Sequence, residues 1–372
     1  MIDVLYMVST LERSGPTNQL QNIVSNLDMD KFSPTVLTLS PEPSNSAVEE
    51  FKEMDIRLQS VGASRIRGLW EVPQYLRTTV AQDPPDVVHS QGVRPDVFSS
   101  YLLPDQTRVS TLRNYPYYDY PKAFGKARGN LVANMQLRSL RRLEYPVACS
   151  DTVRGLANQH GLSLDVIRNG VDTEHFCPVS DEEKQRRRED LQLPRDEYIF
   201  VSVGALSTRK DPMTVARGFL ESEASRSGTL VFLGSGDKRQ TLESIAAGND
   251  TIQLEGYVEN VSEYLQAADY FISASTAEGL PNTVMEALAC GLPVCLSSIG
   301  PHKEILNLDD KFGTEFECRD IAGLSSALDR LMSSVRKSLS DNARAVAEDH
   351  LSAERTSQRH QNLYERAVTE QS

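Results

Sequence analysis

Apolar and polar positions alternate along this chain with two periods. Short runs rich in β-branched and aromatic residues are separated by longer stretches with helical spacing. In the first half the short runs fall at residues 4–8, 35–39, 87–89, 109–112 and 147–149, with helical patterns between them, for example at 19–27 and 47–54. A second series starts at 198–204 and continues at 230–233, 252–254, 270–274 and 294–297, each again followed by a helical pattern. Such alternation predicts an α/β protein with parallel sheets joined by crossover helices. Two series predict two doubly wound, Rossmann-like domains facing one another, with ligands at the carboxyl ends of the strands. Between them, residues 181–195 are dense in charge and close at Pro194, which predicts a surface helix just after a linker. From Leu324 onward only helical spacing remains, so the last residues are expected to pack against one or both domains.

Charge narrows the set of partners. The chain carries 39 Lys and Arg against 52 Asp and Glu, a net of −13, which argues against nucleic acid. Residues 1–177 hold 18 basic and 20 acidic side chains, whereas 178–372 hold 21 and 32, so only the first part suits an anionic partner. Five scattered cysteines without a Cys-x-x-Cys pair favour buried thiols over a disulfide framework or a zinc knuckle. The N-terminal MIDVLYMVST lacks a basic leader and a cleavage site and reads as a first strand. No apolar run approaches the ~18 residues of a membrane-crossing helix, so a cytoplasmic location is expected.

Candidate chemistry concentrates in AEGLPNTVMEALACGLPV, residues 277–294. It follows a predicted strand, turns through Glu278-Gly279-Leu280-Pro281, and enters a helix with Asn282 and Thr283 as cap candidates. The free amides at such a helix start bind phosphate. Glu286, about one turn further in, is placed to accept hydrogen bonds from hydroxyls. A carboxylate on each side of an anion site suits a sugar nucleotide; the plainer alternative is that both are ordinary acids at a helix start. Two other motifs are set aside. Gly234-x-Gly236 invites a dinucleotide but has Arg239 where a third glycine belongs. Asp28-Met29-Asp30, which mimics a metal-binding pair, sits at a helix end and reads as a solvated turn. No metal site is expected.

Glu278 and Glu286 in EGLPNTVMEALACGLPV resemble the signature of the family-4 retaining glycosyltransferases, group 1, with the GT-B fold. The resemblance runs through VIRNGVDTEHF (166–176), VSVGALSTRKDP (201–212), LVFLGSGDKRQ (230–240), LEGYVENVSEYLQAADYFISAS (254–275) and DVVHSQG (86–92). It implies an acceptor domain over 1–177 joined by a C-terminal helix, 352–372, that crosses back to it, and a nucleotide-sugar domain over 178–351. It implies that Glu278 holds the donor sugar and Glu286 the ribose. The amides of Asn282, Thr283 and Val284 would meet the diphosphate, Lys210 would neutralise it as it leaves, and Gly256, Tyr257 and Val258 would read the base. Gly15 would lie in a loop touching donor phosphate and acceptor. In the first-domain strand, His89 is the catalytic candidate and Gln91 the acceptor-side one, where the family often has a second histidine. Ala205 stands where the family often has an arginine, and Arg209 is the nearest substitute.

The resemblance implies a hexosyltransferase acting on a hydroxyl of a glycan or lipid-linked acceptor, with no cofactor beyond the nucleotide-sugar co-substrate. A nucleotide-sugar epimerase and a catalytically silent nucleotide-binding subunit are the alternatives. The tyrosine-rich segment from Arg113 to Tyr120 suits a sugar-stacking wall, with Arg113, Asn114 and Tyr117 as acceptor-side candidates, or a loop whose tyrosines cap a core. Residues 121–143 carry six basic and no acidic side chains, with apolar residues interleaved. That pattern fits a basic amphipathic helix resting on an anionic inner-membrane surface, or a buried helix with a solvated basic face.

Overall fold

In the computed structural model, which describes residues 1–54, 56–309 and 311–371, the chain forms two compact units. Ser372, the last residue of the expected C-terminal helix, lies outside the described residues. The first unit comprises residues 1–170 and 353–372, the second 171–352.

The first unit is built on a seven-stranded parallel sheet. Its strands are β1 (Ile2–Val8), β2 (Phe32–Thr38), β3 (Arg57–Ser60), β4 (Val87–Ser90), β5 (Thr107–Leu112), β6 (Tyr145–Ala148) and β7 (Asp165–Val166). They are ordered β3-β2-β1-β4-β5-β6-β7, so the winding reverses between β1 and β4. The second unit has six parallel strands: β8 (Tyr198–Val203), β9 (Gly228–Leu233), β10 (Ile252–Gly256), β11 (Tyr270–Ser273), β12 (Val294–Ser297) and β13 (Gly313–Phe316). Their order, β10-β9-β8-β11-β12-β13, reverses between β8 and β11. At such a reversal the connecting helices leave to opposite faces, and a crevice opens at the carboxyl ends of the two strands.

Burial explains which residues form the strands. β5, β9, β11 and β12 are buried at every position, as parallel strands covered on both faces must be. In the second unit, Phe200 and Tyr270 stack at 5.0 Å within a core that includes Phe219, Leu230, Phe232 and Leu324. In the first unit one face packs Val4, Tyr6, Phe32 and Val87 with Leu363 and Tyr364 of the last helix, Ala353–Gln371. The other face packs Leu5, Met7, Leu37 and Val88 with Val72 and Leu76.

Two expectations change. The resemblance puts the domain boundary after residue 177, whereas residues 171–177 pack with the second unit. Val171 N–H donates to the Leu351 carbonyl, Arg344 donates to the carbonyls of Thr173 and Phe176, and Gln266 donates to that of Cys177. The segment 181–195, expected as a surface helix, forms the helix Asp181–Asp190 with Ser180 as its cap, and one side of it is anchored inside. Arg188 is buried, donates to Asp269 at 2.6 Å and to the carbonyls of Ala267 and Glu197, while Lys184 reaches the same Asp269 at 2.7 Å.

Candidate active site

Two crevices follow from the two winding reversals, one in each unit. In the second unit, the loop after β8 carries Arg209 and Lys210, and the loop after β11 carries Glu278. The loops are stitched together: the Thr276 N–H and hydroxyl both donate to the Arg209 carbonyl, at 2.7 and 3.1 Å. Lys210 Nζ lies 2.7 Å from Glu278 Oε1, and the Ser275 hydroxyl donates to the same oxygen at 2.8 Å. Burial by itself would raise the Glu278 carboxyl. The charges of Lys210 and Arg209, with the two hydrogen bonds, overcome that and hold it down at about 2. Glu278 is therefore a fixed anion at neutral pH.

The helix Asn282–Ala289 starts directly after this turn, with Pro281, which offers no side-chain cap, at its N-cap and no acid in its first turn. Its amide end, at Asn282, Thr283 and Val284, carries the positive pole of the helix dipole. Glu286 lies within reach of the Lys210 charge, but loss of hydration outweighs that attraction and pushes the carboxyl up to about 7. Lys210, Glu278 and Glu286 are thus gathered at one crevice, and Arg209 places a second cation beside Glu278. Ala205, on the same loop, is exposed.

Glycines shape this loop. A side chain on Gly204 would run into the Lys210 stem at 3.0 Å, and side chains on Gly234 and Gly236 would strike the carbonyls of Gly204 and Leu206 at 2.0 and 2.3 Å. Gly234-x-Gly236 therefore serves close backbone packing under the lysine loop. Gly256, Tyr257 and Val258 follow at the carboxyl end of β10, on the same edge of the sheet, with Tyr257 exposed. His302 has no motif spacing to announce it, yet it is buried close enough to Glu278 and Lys210 to feel both charges. Burial lowers it to about 4, Nδ1 donates to the Ser297 carbonyl at 2.9 Å, and Nε2 has no partner among the described residues.

The first unit has a cleft of about 270 Å³ where β1, β4 and β5 end. Ser14, Gln91, Thr111, Arg113, Asn114 and Tyr120 are among its lining residues. Gly15 opens the helix Gly15–Ser25 beside it and is exposed. Of the two candidates on the β4 segment, Gln91 lines the cleft and His89 does not. His89 is wholly buried, with Nδ1 2.7 Å from the Tyr364 hydroxyl, Nε2 2.8 Å from Thr111 Oγ1 and its ring stacked on His360. Both ring nitrogens are occupied and burial drives its pKa well down, so the expectation of a catalytic His89 gives way to a neutral core histidine. Tyr117 also departs from expectation. Residues 116–124 form a helix, which turns Tyr117 away to stack on His160 at 4.7 Å and to donate to Asn134 at 2.8 Å. Tyr120, almost a full turn later, is the tyrosine that faces the cleft.

Asp28 and Asp30 lie in a turn closed on itself, where the Asp30 N–H donates to Asp28 at 3.1 Å. Among the described residues no three His, Cys, Asp or Glu side chains gather as a metal ion would require.

The family model described as glycosyl transferases group 1 matches residues 183–346, and that described as Glycosyltransferase Family 4 matches residues 13–175. The chain belongs to the group 1 glycosyltransferases. Among its relatives, a UDP-Gal:alpha-D-GlcNAc-diphosphoundecaprenol alpha-1,3-galactosyltransferase of Escherichia coli is 27% identical over 46% of this chain and 45% of that one. The O-antigen biosynthesis glycosyltransferase WclY of Escherichia coli is 19% identical over 97% of both chains. The chain spans about half the length of the curated relatives that it matches at 27–29% identity. Among solved structures, Anabaena HepE in complex with UDP superimposes with a TM-score of 0.81 at 16% identity, over 98% of this chain and 99% of that one. Sucrose-phosphate synthase of Thermosynechococcus elongatus gives 0.83 at 17% identity over the full length of both. The chain therefore has the GT-B fold.

Proposed function

We propose that this glycosyltransferase moves a hexose from a nucleotide-diphosphate sugar to a hydroxyl of a glycan or lipid-linked acceptor, with retention of configuration, in the making of a cell-surface polysaccharide or glycolipid. The observation that carries the reading is the Lys210–Glu278 pair at the β8/β11 reversal, with Glu286 and the N-terminus of the helix Asn282–Ala289 beside it. Each group has a task. Glu278, ionised at every working pH, accepts hydrogen bonds from the donor sugar hydroxyls, and Glu286 accepts from the ribose. The amides of Asn282, Thr283 and Val284 hold the diphosphate. Lys210, with Arg209 in place of the cation absent at Ala205, stabilises the charge that builds on the departing phosphate. Gly256, Tyr257 and Val258 hold the base. The acceptor hydroxyl attacks the anomeric carbon from the face that the diphosphate leaves. The carbon–phosphate-oxygen bond breaks as the new glycosidic bond forms, and the acceptor proton passes to the leaving diphosphate. The reaction needs no metal and no further cofactor.

The test is a thermal-shift screen of nucleotide sugars followed by turnover with glycan and lipid-linked acceptors, reading free nucleotide diphosphate and the anomeric form of the product. Release of the diphosphate with a retained anomer is expected. Isomerised donor without transfer would make the protein an epimerase, and binding without release for any acceptor would make it a silent subunit.

Glu286 gives the donor site a pH dependence. With its carboxyl raised to about 7, Glu286 is mostly protonated at pH 6 and mostly ionised at pH 8. Ribose hydroxyls are held best by the ionised form, so UDP affinity should rise about tenfold between those pH values, following the ionised fraction. Glu286→Gln should flatten the part of the profile that does not belong to the nucleotide, and Glu286→Ala should weaken UDP binding by ~1.5–3 kcal/mol. Calorimetric titration of UDP from pH 6 to 8 checks this; superimposable wild-type and Glu286→Gln profiles would remove Glu286 from the ribose.

A lipid-linked acceptor would bring the enzyme to the inner face of the cytoplasmic membrane. Support comes from the helix Lys126–Leu140, whose exposed stripe reads Arg128, Leu131, Met135 and Arg138 and runs on to Arg142. Leu131 is 69% exposed between those cations, and Phe124 is exposed just before the helix. Each cation near an anionic surface is worth about 1 kcal/mol. Co-sedimentation with anionic but not neutral vesicles is expected, weakening with salt and lost when Arg128, Arg138 and Arg142 are changed to Glu. Equal recovery in the supernatant with both vesicle types would point to a soluble acceptor. Among the described residues no helix is long and apolar enough to cross a membrane.

A further inference from the structure

We infer that the first-unit cleft holds an anionic group of a sugar substrate, a carboxylate or a phosphate, against the Arg113 guanidinium and the Gln91 amide. This rests on the glycosyltransferase reading and adds the chemical class of what the cleft receives. Arg113 follows β5 and Gln91 follows β4, on adjacent strands, and both line the cleft. They are 9% and 7% exposed.

Arg113 is satisfied only in part, and only by neutral groups. Its Nε donates to Gln91 Oε1 at 3.3 Å and its Nη1 to Asn169 Oδ1 at 2.6 Å. Nη2 has no partner among the described residues, and neither has Gln91 Nε2. The amide orientation is fixed by the same contact: with Oε1 committed to Arg113, the nitrogen is the end left over, and a flipped amide would set N–H against N–H. No carboxylate among the described residues forms an ion pair with Arg113, although Glu12 and Asp119 line the same cleft. Burial lowers Arg113 to about 10, which leaves it a cation at neutral pH.

A buried cation without a counter-charge, beside a second buried donor without an acceptor, is a costly arrangement for a fold to keep. Almost all buried polar groups are paired, so two neighbouring exceptions in one cleft indicate a partner that arrives with the substrate. A sugar hydroxyl would occupy one donor and leave the charge uncompensated. A carboxylate or phosphate cancels the charge and offers two oxygens, which Arg113 Nη2 and Gln91 Nε2 meet by side-chain rotation into the cleft that both residues line, since both atoms are closed off from solvent as they stand.

The test uses the full-length protein and calorimetric titration with glucuronate, glucose 6-phosphate and glucose in the presence of saturating UDP, and separately with UDP-glucuronate and UDP-glucose. At least one anionic sugar should bind ten or more times as tightly as its neutral counterpart. Preference among the free sugars assigns the anion to the acceptor, and preference confined to the nucleotide sugars assigns it to the donor. Arg113→Gln should abolish the preference, Arg113→Lys should keep part of it, and Gln91→Leu should reduce it. If Arg113→Gln fails to fold, as judged by circular dichroism and the unfolding temperature, the lysine and Gln91→Leu variants carry the comparison. Equal binding of anionic and neutral sugars in both arms, no binding of any anionic sugar, or a preference that survives in Arg113→Gln would overturn the inference. Failure of the wild type to bind UDP would instead sink the glycosyltransferase reading and leave the free-sugar comparison, repeated without UDP, to be judged by itself.

Discussion

Lys210→Ala should lower turnover by about 10²–10³, the scale for losing one fixed charge that stabilises a transition state. The affinity for UDP should fall much less, because the helix amides and Glu286 remain. The substitution has a second effect that must be separated from the first. Glu278 is held at about 2 mainly against the cost of its burial, and Lys210 is the leading compensating charge. Without Lys210 the buried carboxylate keeps only Arg209 and the Ser275 hydroxyl, so the variant should also unfold at a lower temperature. The double variant Lys210→Ala/Glu278→Gln should recover that stability while staying inactive. Recovery of turnover in the double variant would show that Lys210 acts through Glu278 and not on the diphosphate. The same assay, run in excess chelator, should leave wild-type turnover unchanged; abolition with recovery on adding Mg²⁺ or Mn²⁺ would sink the metal-free mechanism.

Asp269→Ala should destabilise the protein by ~3–5 kcal/mol, the range for breaking a buried ion pair by removing one partner. Asp269 is 4% exposed and accepts from Lys184 at 2.7 Å, Arg188 at 2.6 Å and the Ile199 N–H at 2.9 Å, with Arg336 at 3.2 Å. Its removal strands the nearly buried Arg188 and Lys184. Burial would raise the Asp269 carboxyl, but Lys184 and Arg188 outweigh it and hold it below the usual value. A carboxyl depressed in the folded state contributes stability above the unfolded pKa of about 3.9, and that contribution is lost as pH falls. Urea unfolding at pH 7 and pH 3 checks both statements: the gap between wild type and Asp269→Ala should be wide at pH 7 and narrower at pH 3. A gap below 1 kcal/mol at pH 7 would mean that the ion-pair cluster adds no net stability.

The sheets were legible where both faces of a strand are buried. β1, β8, β9, β11 and β12 read as apolar runs because they are largely buried on both faces, whereas β4 (VVHS) and β5 (TRVSTL) were read on their valines and leucine and bury polar side chains as well. β3, β7 and β13 were not legible, being edge strands that are polar or short: RLQS and GTEF are largely polar, and β7 has two residues, whereas the fourth edge strand, β10, keeps Ile252 and Leu254 and was read. The second-unit crevice was legible because its chemistry sits in two contiguous segments, at residues 201–212 and 277–294. The first-unit cleft is assembled from the ends of three strands and a later helix, so no single window displays it. His89 and Gln91 show the difficulty at the scale of two residues. Nothing beside His89 in sequence reveals that Tyr364 and His360, from the far end of the chain, enclose it. Gln91 lies just past the last residue of β4, where the strand pattern has already ended.

The last helix also sets an order of events during synthesis. The second unit is continuous from 171 to 352, whereas the first is completed only by residues 353–372. Ser357 donates to the Ile23 carbonyl, Gln361 to that of Asn26, and Tyr364 is fully buried over Tyr6, Phe32 and His89. While the ribosome is still making the chain, the second unit has all its residues before the first can close, although the first emerges earlier. Any message truncated before the codon for Tyr364 yields a product whose oldest strands stay uncovered and open to proteases. The helix Ala353–Gln371 thus seals the β1/β4 seam from one face, and a chain cut before that helix leaves Tyr6, Phe32 and His89 uncovered.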